Sequence, residues 1–180
     1  LEDHKGNDFL GKRVVNDDGL VDLGPTEFVK AAEKLESSFD RELAQRDKLK
    51  LISKREQHSH NSWLHNHPRF VEGRRSTNYL YMHPQDGEKV GVQSGEMVEV
   101  RSRVASVRLP VELTDEMMVG AVALPHGWGH QDADGLSVAS QTTGANVNLL
   151  AADGPEQLEY FSGMAQLNGI LVDVVPVAED

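Results

Sequence analysis

Cysteine is absent from the 180 residues, which excludes disulfides, zinc ribbons, thiolate-held iron–sulfur clusters and a thiol nucleophile. No apolar run approaches the roughly 20 residues of a membrane-spanning helix. The opening Leu1-Glu2-Asp3-His4-Lys5 lacks the apolar stretch of a secretion signal. These absences predict a soluble cytoplasmic protein without membrane insertion. Lysine and arginine are missing altogether from Leu109 to Asp180, and the net charge is −11. Nucleic acid and anionic membranes, which need a basic face to displace counterions, are therefore excluded as partners. With 38% hydrophobic residues, a chain of this length forms a single globular domain that buries roughly 70% of its unfolded surface without a covalent staple.

What basic charge there is lies in one place. Between Lys48 and Arg75 seven basic residues (Lys48, Lys50, Lys54, Arg55, Arg69, Arg74 and Arg75) face only Glu56 and Glu72. The same stretch holds four of the eight histidines, in the polar loop Arg55–Pro68. A confined, locally cationic and histidine-rich segment in an acidic protein suits a small anion better than a long polyanion.

The chain is organised as a helical prefix followed by strands. Residues up to about Leu23 read as an arm with a tight turn at Asp18-Gly19. Phe28, Ala31, Ala32, Leu35, Phe39 and Leu43 recur at helical spacing and predict one amphipathic helix over Thr26–Arg46. Alternation over Leu49–Lys54 predicts a half-buried strand feeding the polar loop, and Tyr79–Met82 a second. Pro84 opens a short helix that Gly91 closes. Met97–Ser102 and Ser106–Val111 form a hairpin, Ala121–Leu124 a buried strand, and Ile170–Val175 a strongly apolar central one. Many short strands with few helices indicate a mainly β barrel or sandwich.

Three chemistries can be weighed on these residues. His58-Ser59-His60, with His65 and His67 in reserve, has spacing compatible with a metal site, but no acidic residue lies between Glu56 and Glu72. No nucleophile elbow and no phosphate-binding glycine loop follows a strand. Recognition of an anion joined to a flat ring fits better. Arg55, His58, Ser59, His60, Asn61, Ser62 and Trp63 offer a guanidinium, imidazoles, hydroxyls, an amide and an indole within nine residues. The strand-end loops His126-Gly127-Trp128 and Asn146–Asn148 add carboxamides suited to heterocycle edges.

The run Tyr81–Arg103, followed by Val107–Val111, the Gly120–Gly129 segment, the Gly144–Asn148 loop and Ser162–Asn168 before a final strand, resembles the C-terminal molybdopterin dinucleotide-binding domain of the dimethyl sulfoxide reductase superfamily. The resemblance covers about Leu49 to Val177. It implies a double-psi β-barrel over residues 48–180, with residues 1–47 as an arm and linker helix. It further implies contact with a bis(molybdopterin guanine dinucleotide) cofactor carrying molybdenum or tungsten. On the family's pattern Arg55–Trp63, His126–Trp128, Asn146, Asn148 and Asn168 are cofactor-binding, and none is catalytic or a metal ligand. Because the chain has no cysteine for a metal thiolate or an iron–sulfur cluster, the resemblance implies a part of a longer oxidoreductase, formate dehydrogenase- or nitrate reductase-like, with the remaining domains or subunits as partners. A non-catalytic double-psi barrel serving as an interaction or adaptor module is the alternative reading, and a small histidine-metal enzyme is the third.

Overall fold

Val98 and Val100 in β3 (Met97–Arg101), and Val107, Leu109 and Val111 in β4 (Ser106–Leu113), are buried while their neighbours face outward, as a pleated strand with one apolar face requires. β3 and β4 pair antiparallel with Val98 opposite Leu109, which is the hairpin expected from the sequence. With β1 (Leu49–Lys54), β2 (Leu80–Met82), β5 (Ala121–Pro125) and β6 (Ile170–Pro176) they close into a six-stranded barrel in the order β1-β5-β2-β4-β3-β6. The fold is thus mainly β, and its closure leaves no sheet edge exposed. β6 is bounded on one side by β1 and on the other by β3, as every strand of a closed barrel is flanked twice, so the central position expected of it has no counterpart here. Leu51, Leu80, Met82, Leu124 and Val172 complete an aliphatic core around the hairpin residues.

The computed structural model describes residues 13–178, and the start of the predicted arm, residues 1–12, lies outside them. The chain divides into two units, Leu1–Arg46 and Asp47–Asp180. In the first, the turn at Asp18-Gly19 forms as expected, with the Gly19 N–H donating to Asn16 O at 2.9 Å. The single helix predicted over Thr26–Arg46 is instead two, α1 (Thr26–Ala32) and α2 (Leu35–Leu43). Between them the Lys34 N–H turns back to Ala31 O, and the Ser37 hydroxyl donates to the Lys34 carbonyl at 3.0 Å. Neither helix buries a residue among those described, so no packing holds one continuous rod together.

In the second unit α3 (Pro84–Val90) follows β2. His83 Nδ1 accepts the Gln85 N–H at 3.1 Å as an N-cap, Pro84 occupies the first turn, and Gly91 closes the helix at φ +80°, as the sequence indicated. Asp86 in this helix is buried. Its carboxylate accepts the Gly120 N–H at 2.6 Å and a Lys89 N–H at 2.9 Å, and so ties α3 to the turn before β5. Burial pushes the Asp86 carboxyl up, but the Lys89 and Gly120 bonds outweigh it and hold the carboxyl below its ordinary value. The ionised form therefore stabilises the fold fully above the unfolded carboxyl pKa, about 3.9, and this contribution is lost as pH falls through the lowered folded value. Asp86→Ala is expected to cost roughly 1.5–3 kcal/mol at neutral pH. Urea unfolding at pH 7 and at pH 3 should show the gap between variant and parent narrowing in acid.

Candidate functional site at the carboxyl ends of β1 and β5

β1 and β5 run parallel in register, Lys54 beside Pro125, and the His126 N–H donates to Lys54 O at 3.0 Å. Parallel pairing forces the loops that leave both strands to emerge at the same end of the barrel. The Arg55–Pro68 loop and the His126–His130 loop are therefore neighbours although some seventy residues separate them. Gly127, at φ +90°, makes their contact possible: a Cβ built there would lie 2.0 Å from Asn61 O. The facing turn is itself unusual, with His60 and Asn61 both at positive φ, 45° and 64°. Gly144 plays a similar part for the third loop, since its Cβ would fall 2.3 Å from the Trp128 ring.

Asn78, fully buried just before β2, fastens this assembly. Its amide nitrogen donates to Pro125 O and Ala145 O, both at 2.9 Å, while its oxygen accepts the Ala145 N–H at 2.8 Å. One side chain thereby joins the end of β5 to the loop that carries Asn146. Asn66 ties the Arg55–Pro68 loop to a further segment, its oxygen accepting the Val138 and Ala139 N–H groups.

A cavity of about 480 Å³ opens among these loops. One wall is cationic, built by Lys54, Arg55, Arg74 and Arg75. Arg74 is already paired with Glu112 at 2.5 Å, and Lys54 Nζ sits 3.5 Å from the centre of the Tyr81 ring. Tyr79, Tyr81, Phe70 and Trp128 supply flat apolar surface. Burial, then the negative charges of Glu56 and Glu112, push the Tyr81 hydroxyl up, so it is a neutral donor at physiological pH. The floor is formed by Ser59, whose hydroxyl donates to Glu56 O at 3.1 Å, and by His65 and Trp128, whose ring centres lie 4.2 Å apart. The Trp128 indole N–H donates to Glu56 Oε2 at 3.2 Å. Such a lining offers charge to an anion and stacking surface to a planar group.

Of the residues singled out from the sequence, Arg55, His58, Ser59 and Trp128 line this cavity. His60, Asn61, Ser62 and Trp63 lie in the same loop but outside the lining, with Trp63 81% exposed and edge-on to His60. His126 and Gly127 lead into Trp128. In the third loop Asn146 turns its oxygen to the Asn148 N–H at 3.0 Å, and Asn148 itself is exposed. Asn168 is tied to the barrel, its oxygen accepting the Ser53 N–H at 2.8 Å. Sequence reasoning missed Tyr79, Tyr81, Phe70 and Glu112. It counted Lys54, Arg74 and Arg75 within the basic stretch without placing them in the site. Among the described residues no group of three or more His, Asp or Glu side chains could hold a metal ion, and no helix is long and apolar enough to cross a membrane.

A family description, the molydopterin dinucleotide binding domain, matches residues 49–169, from the first residue of β1 to the residue before β6. The chain belongs to this family of molybdopterin dinucleotide-binding domains. It is the domain of the dimethyl sulfoxide reductase superfamily that the sequence pattern pointed to. A tetrathionate reductase polypeptide of Salmonella typhimurium is 28% identical over 112 residues, which are 53% of this chain and 11% of that protein. Acetylene hydratase from Pelobacter acetylenicus shares the fold, with a TM-score of 0.69 at 22% identity over 98% of this chain and 26% of its own. The chain thus spans about a tenth to a quarter of the length of these relatives.

Proposed function

We propose that the cavity at the ends of β1 and β5 holds part of a molybdopterin guanine dinucleotide, with its phosphates toward the cationic wall. The observation that carries this reading is that Arg55 and Arg75 line the cavity without an ion pair among the described residues, in a domain of the dinucleotide-binding family. Exposed cations converging beside aromatic faces fit a phosphate ester joined to heterocycles.

On this reading Arg55 and Arg75 bind phosphate oxygens, His58 and Ser59 fix the ligand at the cavity floor, and Trp128 gives it a flat wall. His60, Asn61, Ser62 and Trp63 form the rim. Gly127 lets the His126 loop close on that rim, while Asn146, Asn148 and Asn168 meet the more distant parts of a bis(dinucleotide) assembly. When bound, the metal-pterin group supplies the redox centre, molybdenum or tungsten, and this chain supplies position and charge. The barrel is a double-psi barrel in this account. The whole protein is a molybdenum or tungsten oxidoreductase in which the remaining domains or subunits complete the cofactor site. A formate dehydrogenase- or nitrate reductase-like specificity is the narrower form of the proposal.

Guanosine diphosphate, the nucleotide half of the dinucleotide, tests the reading on the 180-residue chain by calorimetry. Binding that weakens with added salt, and falls on the order of tenfold or more in Arg55→Ala or Arg75→Ala, is the expected result. No binding by the parent chain, or equal binding by both variants, overturns it.

A further inference from the structure

The cationic cavity also contains two carboxylates, Glu56 and Glu112. Toward a phosphate each is a liability, because like charge in a confined site disfavours the ligand. Glu112 is neutralised by the Arg74 guanidinium at 2.5 Å. Glu56 has no ion pair among the described residues, and its neighbour Lys54 is turned over the Tyr81 ring. The one hydrogen bond its carboxylate accepts among them comes from the Trp128 indole N–H, to Oε2 at 3.2 Å. Glu56 is half-buried. Among the described residues that are not exposed, the side-chain nitrogen or oxygen both shut off from solvent and without a partner is His65 Nε2. Glu56 Oε1, which has no partner either, is therefore open to solvent, on a residue that lines the cavity. A carboxylate can only accept, and its two oxygens offer roughly four lone-pair sites, of which the indole uses one.

We propose that Glu56, held at the edge of the Trp128 ring by the indole N–H, is a specificity-determining residue that accepts hydrogen bonds from the 2-amino-4-oxo edge of the ligand's heterocycle. The inference rests on the dinucleotide reading and deepens it: the arginines take the phosphates, and Glu56 reads a ring. Guanine and pterin both carry that edge, a lactam N–H beside an exocyclic amino group. A carboxylate meets such a pair of donors with charge-assisted bonds. An adenine ring sets a nitrogen lone pair where the lactam N–H stands, so the same carboxylate repels it. The negative charge that opposes phosphate is thus offset only by a ligand that brings donors to this point, which makes Glu56 a selector rather than a general anchor.

Glu56→Gln tests this on the 180-residue chain, since it keeps the length of the side chain and an oxygen for the Trp128 N–H but loses the charge. Three ligands are titrated by calorimetry into parent and variant: guanosine diphosphate, neopterin as a phosphate-free 2-amino-4-oxopteridine, and inorganic pyrophosphate. Affinity for guanosine diphosphate or for neopterin should fall on the order of tenfold in Glu56→Gln. A loss confined to the nucleotide places guanine on Glu56, and one confined to neopterin places the pterin there. Pyrophosphate should bind more tightly to the variant, because a negative charge has left the cavity. Neither heterocycle losing affinity, or pyrophosphate losing as much as guanosine diphosphate, overturns the assignment while leaving the dinucleotide reading intact. A parent chain that binds no guanosine diphosphate removes both.

Discussion

Gly127→Ala should be the most damaging single-methyl change in the second unit. The added carbon would sit 2.0 Å from Asn61 O, well inside van der Waals contact, on a residue at φ +90° that an L side chain rarely adopts. Relief by a rotamer change is impossible, because the obstacle is backbone and already lies in a positive-φ turn of its own. Backbone strain and overpacking together are expected to cost about 3–5 kcal/mol. Part of this can be relieved by parting the His126 loop from the Arg55 loop, which opens the cavity floor. The variant should therefore lose guanosine diphosphate affinity even at temperatures where circular dichroism reports an intact barrel. An unfolding midpoint and an affinity equal to those of the parent would show that the two loops do not touch as described.

Asn78→Ala removes no charge and no large apolar surface, yet it should rank next. Three main-chain groups of two segments, Pro125 O, Ala145 O and the Ala145 N–H, depend on this one amide. Each buried group left unpaired costs roughly 1–3 kcal/mol, and partial relaxation brings the total to about 3–5 kcal/mol. Asn78→Asp is an informative companion. It preserves shape and the bond from the Ala145 N–H, but turns a carboxylate oxygen toward two carbonyls, so it should be no better than alanine. Urea denaturation of both variants measures the loss. An Asn78→Asp variant as stable as the parent would mean that the amide does not donate to those carbonyls.

The barrel was readable because its physics is local. Period-two burial in Met97–Arg101 and Ser106–Leu113, Pro84 and Gly91 at the ends of a helix, and the apolar Ile170–Pro176 each announce an element within a few residues. The break between α1 and α2 was hidden, since apolar periodicity runs through Lys34 without interruption. The site was visible in its charged and histidine-rich loop, and in the glycine-bearing loop at Trp128. It was not visible in β2. Tyr79 and Tyr81 read as ordinary strand residues, and they become cavity wall only because β2 starts where β5 ends, a pairing of Tyr81 with Ala123 that no short-range pattern encodes. Asn78 escaped for the same reason, because its partners lie 47 and 67 residues away.

The contact between His65 Nδ1 and His130 Nε2 was beyond sequence reasoning altogether, since the two residues stand 65 positions apart. The sequence did mark the neighbourhood, through four histidines in one loop, whose spacing alone was only a weak signal for a metal site. Among the described residues the structure gathers no group of three or more His, Asp or Glu side chains that could hold a metal ion.

The most direct test of the central claim is the cofactor content of the native polypeptide that carries this chain, captured from its source cells with an antibody to the domain. The captured protein is assayed for molybdenum and tungsten by mass spectrometry, and for guanosine monophosphate released by acid hydrolysis of the cofactor. The account predicts one of the two metals together with guanine nucleotide, in a polypeptide or tight complex much larger than this chain. A captured protein containing neither metal nor nucleotide would contradict it.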